Sequence, residues 1–212
     1  MRFTDPWRLV GCVTLLIVVG GGASRAADTI DRNGFEAKLL YCKTCHGQSG
    51  QGYHGFFPIP RLAGQPSQYV ENQLRAFIEH RRSNPVMFNV AHALSPAMVT
   101  ALASHFKALD PKPLGGAPRG SVAAGRQIYE SGLPDSNVPA CSACHGDDGK
   151  GQRDIPRLAG QLYAYTVGQL TGWRSERGQG AAADSSAIMT QTAHNLTRAQ
   201  VEAVAAYVAN LQ

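Results

Sequence analysis

Long apolar runs are scarce in this chain of 212 residues. The one conspicuous stretch, Leu9 to Val19, covers 11 residues, well short of the roughly 20 that a membrane-crossing helix needs. It follows Arg2 and Arg8 and is closed by Ser24-Arg25-Ala26, so residues 1–26 read as a secretory signal peptide cut after Ala26 rather than as an anchor. Leu9-Val10-Gly11-Cys12 imitates a lipoprotein box but precedes the apolar stretch instead of ending it; lipidation is set aside, and Cys12 leaves with the signal. A strong charge of either sign is also missing. The formal net charge is +5, and cleavage takes three arginines and one aspartate, leaving about +3, too little to argue for nucleic acid or an anionic membrane. No stretch alternates apolar and polar residues as a strand does. Cysteine and methionine are few: beyond residue 26 there remain Cys42, Cys45, Cys141 and Cys144, with Met87, Met98 and Met189.

What is present is a sequence that reads twice. Cys42-Lys43-Thr44-Cys45-His46-Gly47 returns 99 positions later as Cys141-Ser142-Ala143-Cys144-His145-Gly146. Pro60-Arg61-Leu62-Ala63-Gly64-Gln65 returns at an offset of 96 as Pro156-Arg157-Leu158-Ala159-Gly160-Gln161. The register continues through Tyr69/Tyr165, Gln73/Gln169 and Phe77/Trp173, and Met87 with Leu94-Ser95 matches Met189 with Leu196-Thr197 at an offset of 102. The shifting offsets put extra loop residues in the first copy near 52–58 and in the second near 177–188. Residues 111–120, rich in proline and glycine, form a linker between a domain at 27–110 and another at 121–212. Domains this small usually need a staple or a cofactor to complete their cores.

Each copy reads as helical. Ser95-Pro96 and Thr197-Arg198 open the closing helices with a hydroxyl cap, and Val99, Leu102, Ala103, Phe106 parallel Val201, Val204, Ala205, Val208 as apolar stripes. Further helices are predicted over 68–82 and 164–177, and shorter ones over 35–41 and 123–129, leading toward the CxxCH boxes.

Two thiols about one helical turn apart can add to the two vinyl groups of haem, and the histidine that follows meets the iron from the same side. Both boxes stand at equivalent points of a repeat and use all four remaining cysteines, which points to two covalent haem c groups. A thioredoxin-like CxxC would stand alone in a βαβ context, a four-cysteine zinc site would leave both histidines idle, and two structural disulfides would do the same. Export agrees with haem attachment, which in bacteria takes place outside the cytoplasm. Each iron needs a second axial ligand. Met87 and Met189 stand in register, and a thioether would favour ferrous iron and raise the potential. His92 and His194 are also in register, five residues on, and would give a lower potential. Met98 faces Gln200 in the other copy and reads as core. His54, His80 and His105 have no counterparts and read as surface or core residues. Tyr69, Phe77, Tyr165 and Trp173, at helical spacing, read as pocket lining.

The paired CxxCHG boxes, the two PRLAGQ segments and the methionines before Leu-Ser or Leu-Thr together resemble the cytochrome c4 family of dihaem carriers, over nearly the whole mature chain. The resemblance implies an all-α molecule of two tandem class I cytochrome c domains related by a pseudo-twofold axis, with haem propionate edges facing across the interface. It implies His46 with Met87 and His145 with Met189 as axial pairs. The carbonyls of Pro60 and Pro156 would accept a hydrogen bond from the proximal imidazoles; Arg61 and Arg157 are candidates to pair with propionates, the alternative being solvated arginines. It implies residence in the periplasm, sometimes with loose membrane association, and electron passage from a quinol-oxidising complex toward a terminal oxidase. The loop with His54, Phe56 and Phe57 departs from the pattern. No catalytic residue is expected. An electron-accepting subunit of a periplasmic dehydrogenase would suit the same domains, whereas a dihaem peroxidase would need an open iron, and each copy keeps a methionine suited to closing it.

Overall fold

The computed structural model describes Met1, residues 30–177 and residues 186–212. All but Met1 of the expected signal at 1–26, and most of the longer loop of the second copy, lie outside the described residues. Among the described residues there are helices and no strands, only isolated bridges such as Tyr53 to Ile59 and Gln152 to Ile155. The first half holds α1 (Arg32–His46), α2 (Ser67–Ile78), α3 (Pro85–His92) and α4 (Pro96–Lys107). The second holds α5 (Val122–Ser131), α6 (Ser142–His145), α7 (Tyr163–Thr171), α8 (Trp173–Glu176), α9 (Ser186–His194) and α10 (Arg198–Asn210), with a 3-10 turn at Pro134–Ser136. None of these helices is long and apolar enough by itself to cross a membrane.

The closing helices begin at their hydroxyl caps. Ser95 accepts from the Met98 amide, and Thr197 forms a capping box with Gln200. Elsewhere the structure departs from the periodicity. The helix expected over 35–41 runs on through the first CxxCH box as α1, because nothing between Gly34 and His46 interrupts it. Its counterpart α5 stops at Gly132, whose φ of 69° is left-handed, and Pro134 follows; the second box therefore has its own short helix, α6. The helix expected over 68–82 ends at Ile78, and the one over 164–177 breaks at Gly172. Helices α3 and α9, which carry Met87 and Met189, are too short to show a stripe. The sequence signal for α3 is Asn84-Pro85: Asn84 caps it by accepting from the Met87 amide at 2.9 Å, and Pro85 takes the first turn.

Each half closes on its last helix. Leu39 of α1 packs with Leu102 and Phe106 of α4, joined by Met98; Val70, Leu74 and Phe77 pack with Ala91 and Ala103, joined by Met87. In the second half Ile128 and Tyr129 pack with Ala203, Val204 and Val208, while Val167 meets Val201 and Ala205.

The halves are joined by a reciprocal exchange. The backbone of Arg61 donates to Gln161 (2.8 Å) and accepts from its amide (3.1 Å); the backbone of Arg157 donates to Gln65 (3.0 Å) and accepts from it (2.9 Å). This exchange is the pseudo-twofold axis in hydrogen bonds. Beside it Asp110, the residue just before the linker, holds one carboxylate oxygen 3.0 Å from both Arg61 and Arg157. Burial, then the like charge of Arg157, push the Arg61 guanidinium down to about 10, and Asp110 opposes that shift. At neutral pH the Arg61 guanidinium therefore keeps its charge in a buried position, and one carboxylate offsets it. Asp110→Asn is expected to lower stability by about 1–3 kcal/mol, below the usual cost of breaking a buried ion pair because the carboxylate itself is 66 % exposed. Thermal melts read by circular dichroism check this, and an unchanged midpoint would refute the bridge.

Candidate haem sites

Each box ends a helix so that its histidine turns inward. His46 and His145 are buried, while Cys45 and Cys144 face outward and Cys42 and Cys141 are half-buried. Gly47 and Gly146 follow with φ of 86° and 83°, a conformation that any side chain would strain; this is why glycine closes both motifs. The chain then folds back, so that the amides of Gly52 and Gly151 donate to the histidine carbonyls at 2.8 and 2.9 Å. In the second half the buried Tyr129 hydroxyl also donates to the Gly146 carbonyl at 2.6 Å.

The fold-back brings the PRLAGQ segments over the imidazoles. His46 Nδ1 lies 2.9 Å from the Pro60 carbonyl, and His145 Nδ1 lies 2.9 Å from the Pro156 carbonyl. A carbonyl can only accept, so Nδ1 carries the proton and Nε2 keeps its lone pair for a metal. Burial lowers the basicity of both imidazoles and the proline hydrogen bonds oppose it; at His46 the Arg82 charge lowers it further. Burial likewise raises the Cys42 thiol and pushes that of Cys141 up to about 11. None of the four cysteines is in a disulfide, and no three His, Cys, Asp or Glu side chains cluster as a metal site among the described residues.

Met87 and Met189 sit half-buried on the equivalent helices α3 and α9, and His92 and His194 end those helices exposed. Five residues of α-helix turn through about 500°, so each methionine and its in-register histidine point about 140° apart. His92 stacks on Phe88 at 5.7 Å, and Phe88 stacks on His80 at 4.7 Å, as a surface column. His54 is exposed beside the linker, and His105 packs edge-on against Phe35 and Phe106.

Arg61 and Arg157 are not solvated: they are 1 % and 5 % exposed. Arg61 donates to the carbonyls of Ala63 and Pro111 and to Asp110; Arg157 donates to the carbonyl of Ala159 and pairs with Asp110. Tyr69 and Tyr165, expected as apolar lining, place their hydroxyls at the domain boundary, where Arg177 reaches both and Arg82 reaches Tyr165. Arg82, Arg177, Asp110, Gln65 and Gln161 had no role in the sequence reading. The available signals were the glutamine that ends both PRLAGQ segments and an arginine four or five residues beyond Phe77 and Trp173.

These residues fit a covalent haem c in each half. The thiols are spaced one turn apart, the imidazoles are oriented with Nε2 free, and two buried N–H donors, Trp173 Nε1 and Arg177 Nε, have no protein partner. Buried donors without acceptors are what a ligand bearing carboxylates would satisfy.

The fold and the two sites define a dihaem c-type cytochrome, an electron-carrying protein with two haem c groups. The cytochrome c family model matches residues 34–112 and again residues 122–212, and the chain belongs to the cytochrome c family, in its dihaem cytochrome c4 group. It is similar to cytochrome c-552 of Acidithiobacillus ferridurans, 38 % identical over 203 residues that cover 92 % of this chain and 84 % of that protein. It is 39 % identical over 172 residues to the thiosulfate dehydrogenase electron acceptor of Thiomonas intermedia, covering 79 % and 77 % of the two chains. Among solved structures, cytochrome c4 of Acidithiobacillus ferrooxidans superposes with a TM-score of 0.69 at 39 % identity, over 80 % of this chain and 98 % of that one.

Proposed function

We propose that the chain is a periplasmic one-electron carrier that takes electrons from a quinol-oxidising complex and delivers them toward a terminal oxidase. His46 with Met87 and His145 with Met189 hold the two irons, and thioethers to Cys42, Cys45, Cys141 and Cys144 hold the porphyrins. The observation that carries this reading is the pair of equivalent boxes, each with its histidine buried and oriented by a proline carbonyl, joined through a hydrogen-bonded boundary. Haem supplies a one-electron iron couple. The protein supplies a rigid, partly dry environment, so little has to move when the charge changes. The half-buried positions of Met87 and Met189, against exposed His92 and His194, favour sulfur as the second ligand.

A second reading, an electron-accepting partner of a periplasmic dehydrogenase, is favoured by the relatives named thiosulfate dehydrogenase electron acceptor in Thiomonas intermedia and Stutzerimonas stutzeri. Stopped-flow reduction of the oxidised protein, by a quinol-oxidising complex in one series and by thiosulfate dehydrogenase with thiosulfate in another, decides between them. The carrier reading expects fast reduction by the first and fast reoxidation by a terminal oxidase. Reduction only by the dehydrogenase would replace it with the second.

The attachment sites are tested apart from the partners. Cys141→Ala with Cys144→Ala should reduce the haem content, read from the pyridine haemochrome and intact mass, from two per chain to one. Retention of two covalent haems would overturn the assignment of that box.

A further inference from the structure

Arg61 and Arg157 are equivalent in the repeat, yet they are not equally satisfied. Arg61 uses all three nitrogens: Nε donates to the Ala63 carbonyl at 3.0 Å, Nη1 to the Pro111 carbonyl at 2.8 Å and Nη2 to Asp110 at 3.0 Å. Arg157 repeats the first and last of these, with Nε donating to the Ala159 carbonyl at 3.0 Å and Nη2 at 3.0 Å from Asp110. Its Nη1 has no acceptor among the described residues. The chain has one linker, and it crosses the Arg61 side only. The glycines of the two PRLAGQ segments show the same break in symmetry. A Cβ on Gly160 would strike the ring of Pro113 in the linker at 2.9 Å, with Arg61 Nη1 at 3.5 Å, whereas a Cβ on Gly64 would strike Arg157 Nη1 itself at 2.6 Å. Gly64, at a φ of 75°, therefore leaves room for that guanidinium, and both residues line a cleft on the side that the linker does not cross.

This cleft has a volume of about 510 Å³ and lies between the end of α4 and the loop that follows the second CxxCH box. Lys107, Lys150, Arg153 and Arg157 line it, and Asp110 is the acidic residue among its walls. Asp110 is already shared with Arg61, and Lys150 pairs with Asp148 at 3.3 Å. Lys107 and Arg153 have exposed side chains and no ion pair among the described residues. The backbone of Arg153 is fixed from the opposite half: its φ of 52° is left-handed, and its carbonyl accepts from the Tyr69 amide at 3.1 Å. One buried guanidinium with a free N–H edge and two unpaired cations thus face the same space.

We propose that this cleft binds a small multivalent oxyanion, of the inorganic phosphate or sulfate class, through Arg157 Nη1, Lys107 and Arg153, with Lys150 beside them. A tetrahedral dianion accepts hydrogen bonds from several directions at once, and its charge offsets the two cations that no carboxylate serves. Asp110 occupies Nη2, so the anion takes the terminal nitrogen that the Pro111 carbonyl satisfies in Arg61. Chloride would bring half the charge. Because Lys107 ends α4 of the first half while Arg153 and Arg157 belong to the second, a bound oxyanion ties the halves together and stabilises their docking by mass action.

The test is isothermal titration calorimetry of the holoprotein with sodium phosphate, sodium sulfate and sodium chloride at matched ionic strength. It is repeated on Lys107→Gln, Arg153→Gln, the double variant, and Arg75→Gln, an exposed arginine of α2 outside the cleft. Phosphate and sulfate are expected to bind saturably at one site and chloride not to. Each cleft variant should weaken that binding roughly tenfold, the loss of one charge-assisted contact, while Arg75→Gln leaves it unchanged. Phosphate should also raise the thermal midpoint of the parent at constant ionic strength and leave that of the double variant where it is. Lys107→Gln stands as the test if Arg153→Gln, at its left-handed position, fails to fold. Absence of saturable phosphate and sulfate binding to the parent would overturn the proposal. So would binding that is equally tight in the cleft variants, which would place the anion elsewhere, or equally weakened by Arg75→Gln, which would make it general screening. The haem content of each preparation is read separately: fewer than two per chain in the parent would overturn the two-haem reading and not this one, since no cleft residue attaches a haem.

Discussion

Replacing Met189 with alanine is expected to lower one of the two reduction potentials by on the order of a few tenths of a volt and to open that iron to external ligands, while the other haem moves far less. A thioether donates weakly and favours ferrous iron, and its loss leaves water or nothing in its place. The proposed ligand lies on a short helix. Helix α9 (Ser186–His194) offers only two metal-binding side chains, and they point about 140° apart. Met189 is half-buried and His194 is exposed at the helix end. The same geometry on α3 makes Met87→Ala the matching experiment for the first half, and each variant should move a different one of the two waves. Potentiometry combined with cyanide or carbon monoxide binding reads both effects, and the near-infrared sulfur-to-iron band should fall by half in either variant. If both potentials and the band survive in Met189→Ala while His194→Ala changes them, the axial assignment passes to the histidine.

Gly125→Ala should be strongly damaging to the second half. A Cβ at Gly125 would overlap the backbone carbonyl of Ala203 and press on Tyr207 Cβ, because α5 and α10 cross there with their backbones in contact. In an open helix the change would stabilise by up to about 1 kcal/mol. Here the obstacle is backbone on the facing helix and cannot rotate aside, so the helices must separate and loosen the packing of Ile128 and Tyr129 on Val204 and Val208. Overpacking of this kind costs about 3 kcal/mol or more, a drop of roughly 10 °C or greater for a domain of this size. A melt followed at the Soret band and by circular dichroism checks it; an unchanged midpoint would mean that the crossing is looser than described. On α1 of the first half Gly34 is under no such restraint, since a Cβ there would meet only the Asp31 side chain at 3.9 Å.

The haem chemistry was legible from residues alone because it is local. CxxCH places its thiols and imidazole within five residues, and repetition at an offset of 99 showed that there are two sites. The closing helices were legible from Ser95 and Thr197 with the stripes behind them, since caps and periodicity are properties of one segment. Helices α3 and α9 were not, because eight or nine residues with no clear stripe are held by packing more than by their own periodicity. The long reading over 164–177 failed at Gly172 for the same reason: periodicity does not register one break that the tertiary structure exploits.

By itself, then, the sequence determined two helical domains, two thiol pairs each followed by a histidine, and the order of motifs along the chain, all set by short-range spacing. Only the tertiary structure decided the work of the arginines. Arg61 and Arg157 left a choice between solvated and haem-side charges, and they are buried beside Asp110 rather than solvated; Arg82 and Arg177 looked like helix ends, and each reaches into the opposite domain. Partners up to 108 positions apart cannot be inferred from one segment's pattern, because what pairs them is the docking of one half on the other.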